Sequence, residues 1–170
     1  MVHSTVNRLP KRTRMSFDII YKKYWDRIFR LCMGYVNDYA IAQDMAQETF
    51  ISVWHNLSSF RQEADIGTWI YRIATNICLR QIEKDKRIIK AEFPAYLTDE
   101  MKQNMEPDIQ LLYKFIAELQ EIDRIIISLE LEDVNQDQIA QIVGLSKNNV
   151  RVKIHRIKIQ LTQKFKAHGN

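Results

Sequence analysis

Apolar residues recur at intervals of three and four along most of this chain, the spacing that puts side chains on one face of an α-helix. Phe17, Ile20, Tyr24, Ile28, Leu31 and Tyr35 mark a first long helix. Ala42, Met45 or Ala46, Phe50, Val53 and Leu57 mark a second, beginning near Asp38. A third runs from about Gly67 to Arg87, with Ile70, Ile73 or Ala74, Ile77 and Ile82 facing inward. The polar stretch 58–65 between the second and third is rich in capping residues and reads as a loop. Further along, Leu112, Phe115 or Ile116 and Leu119 form one short helical stripe, and Ile125, Ile126 and Leu129 another. With only 4 Gly and 3 Pro in 170 residues, breakers are few, and the pattern predicts an all-α protein.

The periodicity fails once. Pro94 and Pro107 bracket a stretch that carries Asp99, Glu100, Glu106 and Asp108 against the single Lys102. Residues 91–108 therefore read as a flexible acidic linker between two small helical domains, one over 15–90 and one over 109–166, behind a basic N-terminal tail at 1–14. Each lobe is small, so each is expected to have a thin core.

The segment from Gln136 to Lys158 is the most specific part of the sequence. Ala140 is small where two helices would cross, Gly144 can supply the positive φ of a tight turn, and Ser146 can cap the next helix. Val150, Ile154, Ile157 and Leu161 then give that helix a buried stripe. Its other faces carry Lys147, Asn148, Arg151, Lys153, His155, Arg156 and Lys158. Two readings fit these cations: a solvated face on a bundle, or a recognition helix in a major groove, Arg reaching guanine edges and Lys meeting phosphates. The turn chemistry favours the second and predicts a four-helix or winged-helix-like helix-turn-helix domain.

Net charge is +4, and its distribution says more than its sum. Residues 1–30 carry +6, 31–60 carry −3, 61–91 carry +3, 92–133 carry −8 and 134–170 carry +6. The basic blocks are DNA candidates, whereas the acidic ones suit a basic protein partner. Cys32 and Cys78 each sit within an apolar helical pattern and read as buried free thiols. His3, His55, His155 and His168 are scattered, and no His or Cys pair has metal-ligand spacing. Without a glycine-rich phosphate loop or nucleophile motif, neither an enzyme nor a cofactor or metal site is expected. The basic N-terminus lacks the apolar core of a signal peptide, and no apolar run approaches the roughly 20 residues of a membrane span, so a cytoplasmic protein is expected.

The segments AQDMAQETFISVWHNLSSF and TWIYRIATNICL resemble the core-binding and promoter-melting domain of bacterial sigma factors. IDRIIISLELEDVNQDQIAQIVGLSKNNVRVKIHRIK resembles their C-terminal promoter-binding domain. The two likenesses cover roughly 15–88 and 109–165, and the two-domain layout is similar to the extracytoplasmic-function group of the sigma-70 family. The resemblance implies that Asp44, Gln47 and Glu48 dock on a coiled coil of the largest subunit of the RNA polymerase core. It further implies that Phe60, Arg61 and Asn76 hold a flipped base of the minus-10 element, with Arg80, Lys84 and Arg87 along the adjacent phosphates. Arg151, Lys153 and Arg156 would read the minus-35 element, alongside Asn148 and His155, with Lys147 and Lys158 on phosphate. Implied partners are RNA polymerase core, promoter DNA and an anti-sigma factor, with no small-molecule substrate. The chain departs from the family at the loop after Arg61, at Leu119-Gln120 where Leu-Pro is usual, and at Val152 where Ser is common. A stand-alone helix-turn-helix regulator is the alternative; it would leave the N-terminal motifs idle.

Overall fold

The computed structural model describes the backbone of residues 11–61, 64–88 and 105–169, and the side chains of these except 11–16 and 82–88. The described residues form seven α-helices and one 3-10 turn: α1 (Lys11–Val36), α2 (Tyr39–Asn56), the turn Leu57–Ser59, α3 (Ile66–Ile88), α4 (Pro107–Ala117), α5 (Glu121–Leu131), α6 (Gln136–Val143) and α7 (Lys147–His168). There is no strand among the described residues, so the helix-turn-helix has four helices and no wing.

Local chemistry sets the helix ends. Asn37 takes a left-handed φ of 51°, which ends α1. The Asp38 carboxylate then accepts the Ile41 N–H at 2.9 Å and starts α2. Asp65 caps α3 in the same way, accepting from Gly67 and Thr68 N–H at 2.9 and 3.3 Å. The turn between α4 and α5 forms without proline, with Gln120 in extended geometry as the N-cap. Three boundaries differ from the sequence reading. The residues 11–14 assigned to a tail are already helical, α4 starts at Pro107 within the expected linker, and α7 runs on to His168. The linker residues 91–104 and the tail residues 1–10 lie outside the described part.

Helices α1, α2 and α3 pack as one lobe and α4 to α7 as the other, burying, among the described side chains, most of the stripes the sequence marked out. The two small helical lobes expected from the sequence are present, and they also pack against one another. Helix α1 also packs on α4 and α5, and α3 on α6, so the buried apolar residues form one cluster across both lobes. The approach of α5 to α1 is close at Gly34, where an added Cβ would clash with the Ser128 side chain and force it or the helix to shift. Around that approach, Arg30 grips the Glu132 carboxylate through Nε at 2.6 Å and Nη2 at 2.8 Å. Arg27 donates to the Glu132 carbonyl, and Arg124 reaches the Tyr35 carbonyl at 3.3 Å.

Cys32 and Cys78 are buried and free, as expected. A hydrogen bond from one thiol to the other, reinforced by burial, pushes the Cys78 thiol well up, which keeps it un-ionised and inert.

Candidate nucleic-acid interface

Three groups of exposed polar side chains stand on this frame. The first is on α2. Burying Ala42, Met45, Ala46, Thr49, Phe50 and Val53 turns the opposite face outward, and Asp44, Gln47 and Glu48 are exposed on it together. The sequence reading did not include Ile51, which continues this strip one turn on and is 50% exposed. An apolar side chain of that size in water beside two carboxylates suits an amphipathic partner surface. Its signal was present as an apolar residue out of phase with the buried stripe.

The second group surrounds a cavity of about 390 Å³ lined by Ser52, Asn56, Ser59, Phe60, Arg61, Ala64, Trp69, Arg72 and Ile73. The 3-10 turn that ends α2 delivers Phe60, whose ring lies 4.8 Å from that of Trp69 at a 34° tilt. Trp69 is half-buried, and its ring contributes to the cavity wall as well as packing against the core. Flat apolar rings beside amide and guanidinium groups can stack on a base and hydrogen-bond its edge.

Phe60 and Arg61, which the resemblance groups with Asn76, line this cavity, and Asn76 lies outside it. It lies one helical turn beyond Arg72 and one before Arg80, all three exposed, so they form a single row along α3. The backbone carries that row toward 84 and 87, but the side chains of Lys84 and Arg87 lie outside the described residues. Arg72 was missed, although its place four residues before Asn76 marks the same stripe. Its Nη2 donates to the Gln141 carbonyl of α6 at 3.1 Å, tying the cavity wall to the other lobe. Arg80 Nη2 stands 3.5 Å from Glu48 Oε1, so the α2 and α3 groups adjoin.

The third group is the helix-turn-helix. Asn135 caps α6, accepting the Gln138 N–H at 2.9 Å. Gly144 has the left-handed φ of 72° that the turn requires, and Ser146 Oγ accepts the Asn149 N–H at 3.2 Å. Val150, Ile154, Ile157 and Leu161 are buried as the spacing required. That leaves Lys147, Asn148, Arg151, Val152, His155, Arg156 and Lys158 exposed, whereas Lys153 is half-buried.

Most of these cations already have partners. Lys147 meets Asp137 at 2.8 Å, Lys158 meets Glu130 at 2.7 Å, and Lys153 and Arg156 share Asp123 at 2.7 and 3.4 Å. Arg151 instead donates to the Asn148 side-chain oxygen at 3.1 Å. Exposed pairs such as Lys147–Asp137 contribute at most about 1 kcal/mol and yield readily to phosphate. Asp123 differs because it is buried. Among the described residues there is no cluster of His, Cys, Asp and Glu that could hold a metal, and no helix long and apolar enough to cross a membrane.

Residues 20–88 match the family described as Sigma-70 region 2, and residues 109–161 match Sigma-70, region 4. The ECF RNA polymerase sigma factor SigW of Bacillus subtilis (strain 168) is 29% identical over 142 residues, covering 84% of this chain and 72% of that protein. The RNA polymerase sigma-H factor of Pseudomonas aeruginosa is 29% identical over 174 residues, covering 89% and 86%. Among solved structures, the sigma factor RpoE in complex with the anti-sigma factor NepR from Bartonella quintana aligns with a TM-score of 0.74 at 19% identity. That alignment covers 89% of this chain and 97% of RpoE. CnrH in complex with the cytosolic domain of CnrY aligns with a TM-score of 0.71 at 17% identity, covering 91% and 90%.

Proposed function

The chain belongs to the extracytoplasmic-function group of the sigma-70 family, whose members direct promoter-specific transcription initiation, and we propose how its two lobes divide that work. The lobe of α1 to α3 docks on RNA polymerase core through Asp44, Gln47 and Glu48, extended by the exposed Ile51. The Phe60–Trp69 cavity takes up one unstacked base of the minus-10 strand, while Arg72, Asn76 and Arg80 follow the strand beside it. The C-terminal lobe lays α7 in the major groove at the minus-35 element, with Asn148, Arg151, His155 and Arg156 toward base edges and Lys147 and Lys158 toward phosphate.

The observation that carries this reading is the aromatic-walled cavity on the same lobe as the acidic strip, preceding a capped helix-turn-helix in one chain. No catalytic step falls to this protein; its chemistry is binding, in the cytoplasm, with an anti-sigma factor as a further partner. The two elements lie roughly 25 base pairs apart, or about 85 Å at 3.4 Å per step. Lobes that share a core cannot span that distance, so the packed form belongs to the free protein and promoter engagement draws the lobes apart. Linking two weak contacts through one complex raises the effective concentration of each.

Run-off transcription with core polymerase tests the reading. Initiation at a defined promoter on adding the chain is expected. DNA binding without any gain of initiation would instead favour a stand-alone helix-turn-helix regulator.

A further inference from the structure

Asp123 lies in the first turn of α5 and is 6% exposed, yet no part of the proposed machinery uses it. A carboxylate so far from water must be matched by positive charge or donors. Both of its partners come from α7: Lys153 Nζ on Oδ1 at 2.7 Å, and Arg156 Nη2 on Oδ2 at 3.4 Å. The two bonds are unequal. Lys153 is short of water, with 27% of its side chain exposed, and its compact ammonium meets the carboxylate at close range. Arg156 keeps 65% of its side chain exposed and spends a single guanidinium nitrogen on a long contact. Its remaining donors stay on the exposed side of the helix.

Resting on the reading of α7 as the minus-35 helix, we propose that Asp123 is a positioning residue for promoter recognition. It withdraws Lys153 from the DNA-facing set and tethers Arg156 by one nitrogen, leaving the rest of its guanidinium for a base edge. Lys153, assigned by sequence to base reading, then serves Asp123 instead. The arrangement separates two roles that adjacent cations on one helix would otherwise confuse. A lysine free to swing onto phosphate adds affinity for every sequence, whereas a guanidinium held in place adds affinity for one. Asp123 thus trades nonspecific grip for discrimination.

The test uses holoenzyme reconstituted from the full chain and core polymerase. It binds a linear promoter located by transcript-start sequencing, and the same duplex with its minus-35 element scrambled. With Asp123→Asn, nearly the same in shape but uncharged, Lys153 is released. The slope of log affinity against log salt should then steepen by about one, and preference for the intact duplex should fall roughly tenfold. In the parent chain Lys153→Gln should leave the slope unchanged, whereas in the Asp123→Asn background it should lower the slope by about one.

A carboxylate that merely stabilises the lobe would shift the melting temperature and leave the slope alone, which overturns the proposal. A lower slope for Lys153→Gln in the parent chain does so too, because Lys153 would already be on phosphate; this arm stands even if Asp123→Asn folds poorly. Parent holoenzyme that initiates but ignores the scrambling overturns the reading of α7, and this proposal with it.

Discussion

Arg30 and Glu132, 102 residues apart in sequence, form a two-pronged ion pair that fastens the first helix to the C-terminal lobe. Glu132 is 6% exposed while Arg30 is half in water, so the carboxylate depends more on the pair than the guanidinium does. The hydrogen bond to Glu132 is also the main reason the Arg30 guanidinium is held above its ordinary range. Replacing Glu132 with Gln should cost about 1–3 kcal/mol, less than a fully buried pair because Arg30 is resolvated. The lobes should separate more readily, giving a larger radius of gyration in X-ray scattering. An unchanged radius with lowered stability would restrict the pair to a purely stabilising role.

Tyr71 links stability to alkaline pH. It is buried, and burial pushes its phenol up to about 12. Below pH 10 the phenol is neutral in both the folded and unfolded states, and the folded state keeps its full advantage. As pH rises from 10 the unfolded chain gives up its proton first, so stability is lost until the folded phenol titrates near 12. That loss should be on the order of 2 kcal/mol. The Tyr71 hydroxyl has no hydrogen-bond partner among the described residues. Tyr71→Phe should therefore lie within about 1 kcal/mol of the parent at neutral pH. Urea unfolding should show a shallower alkaline decline for the variant; parallel curves would assign the decline to other groups.

The acidic strip on α2 should act with its apolar neighbour. Reversing Asp44 and Glu48 to Lys should weaken association with core polymerase and leave binding of minus-35 duplex intact. Ile51→Ser should weaken core association by about 1 kcal/mol, since half of its side chain remains to be buried. Affinity of the full chain for labelled core polymerase is the measurement, and equal affinity across the three proteins would remove this face from the docking surface.

The cavity wall and the α3 row should separate in effect. Phe60→Ala removes a stacking surface and should cost about 1–3 kcal/mol in holding single-stranded minus-10 DNA. Asn76→Ala lies outside the cavity, so its loss should appear in strand opening more than in upstream binding. Permanganate reactivity of the melted thymines in holoenzyme complexes would resolve the two, and full reactivity in both variants would move base capture elsewhere.

Helices, caps and the recognition turn were all legible in the amino-acid order, because each depends on residues within about four positions of one another. The stripe Val150, Ile154, Ile157 and Leu161, the αL turn at Gly144 and the Ser146 cap are local relations, and the structure reproduces them. The exposed strip of Asp44, Gln47 and Glu48 follows from the same periodicity, as the complement of a buried face.

Apposition was not legible, because it depends on which faces meet after the chain doubles back. The family resemblance groups Asn76 with Phe60, whereas Arg72 lines the cavity beside that ring pair and Asn76 lies a turn further along α3. Lys153, which the family resemblance groups with the DNA contacts, is paired with Asp123 thirty residues earlier. That the two lobes share one buried cluster, with α5 close against α1 at Gly34 and Ser128, is a fit of shapes that no periodicity encodes. What each helix is was written along the chain; which charges remain for DNA was decided by packing, because a cation's reach depends on the carboxylates the fold brings beside it.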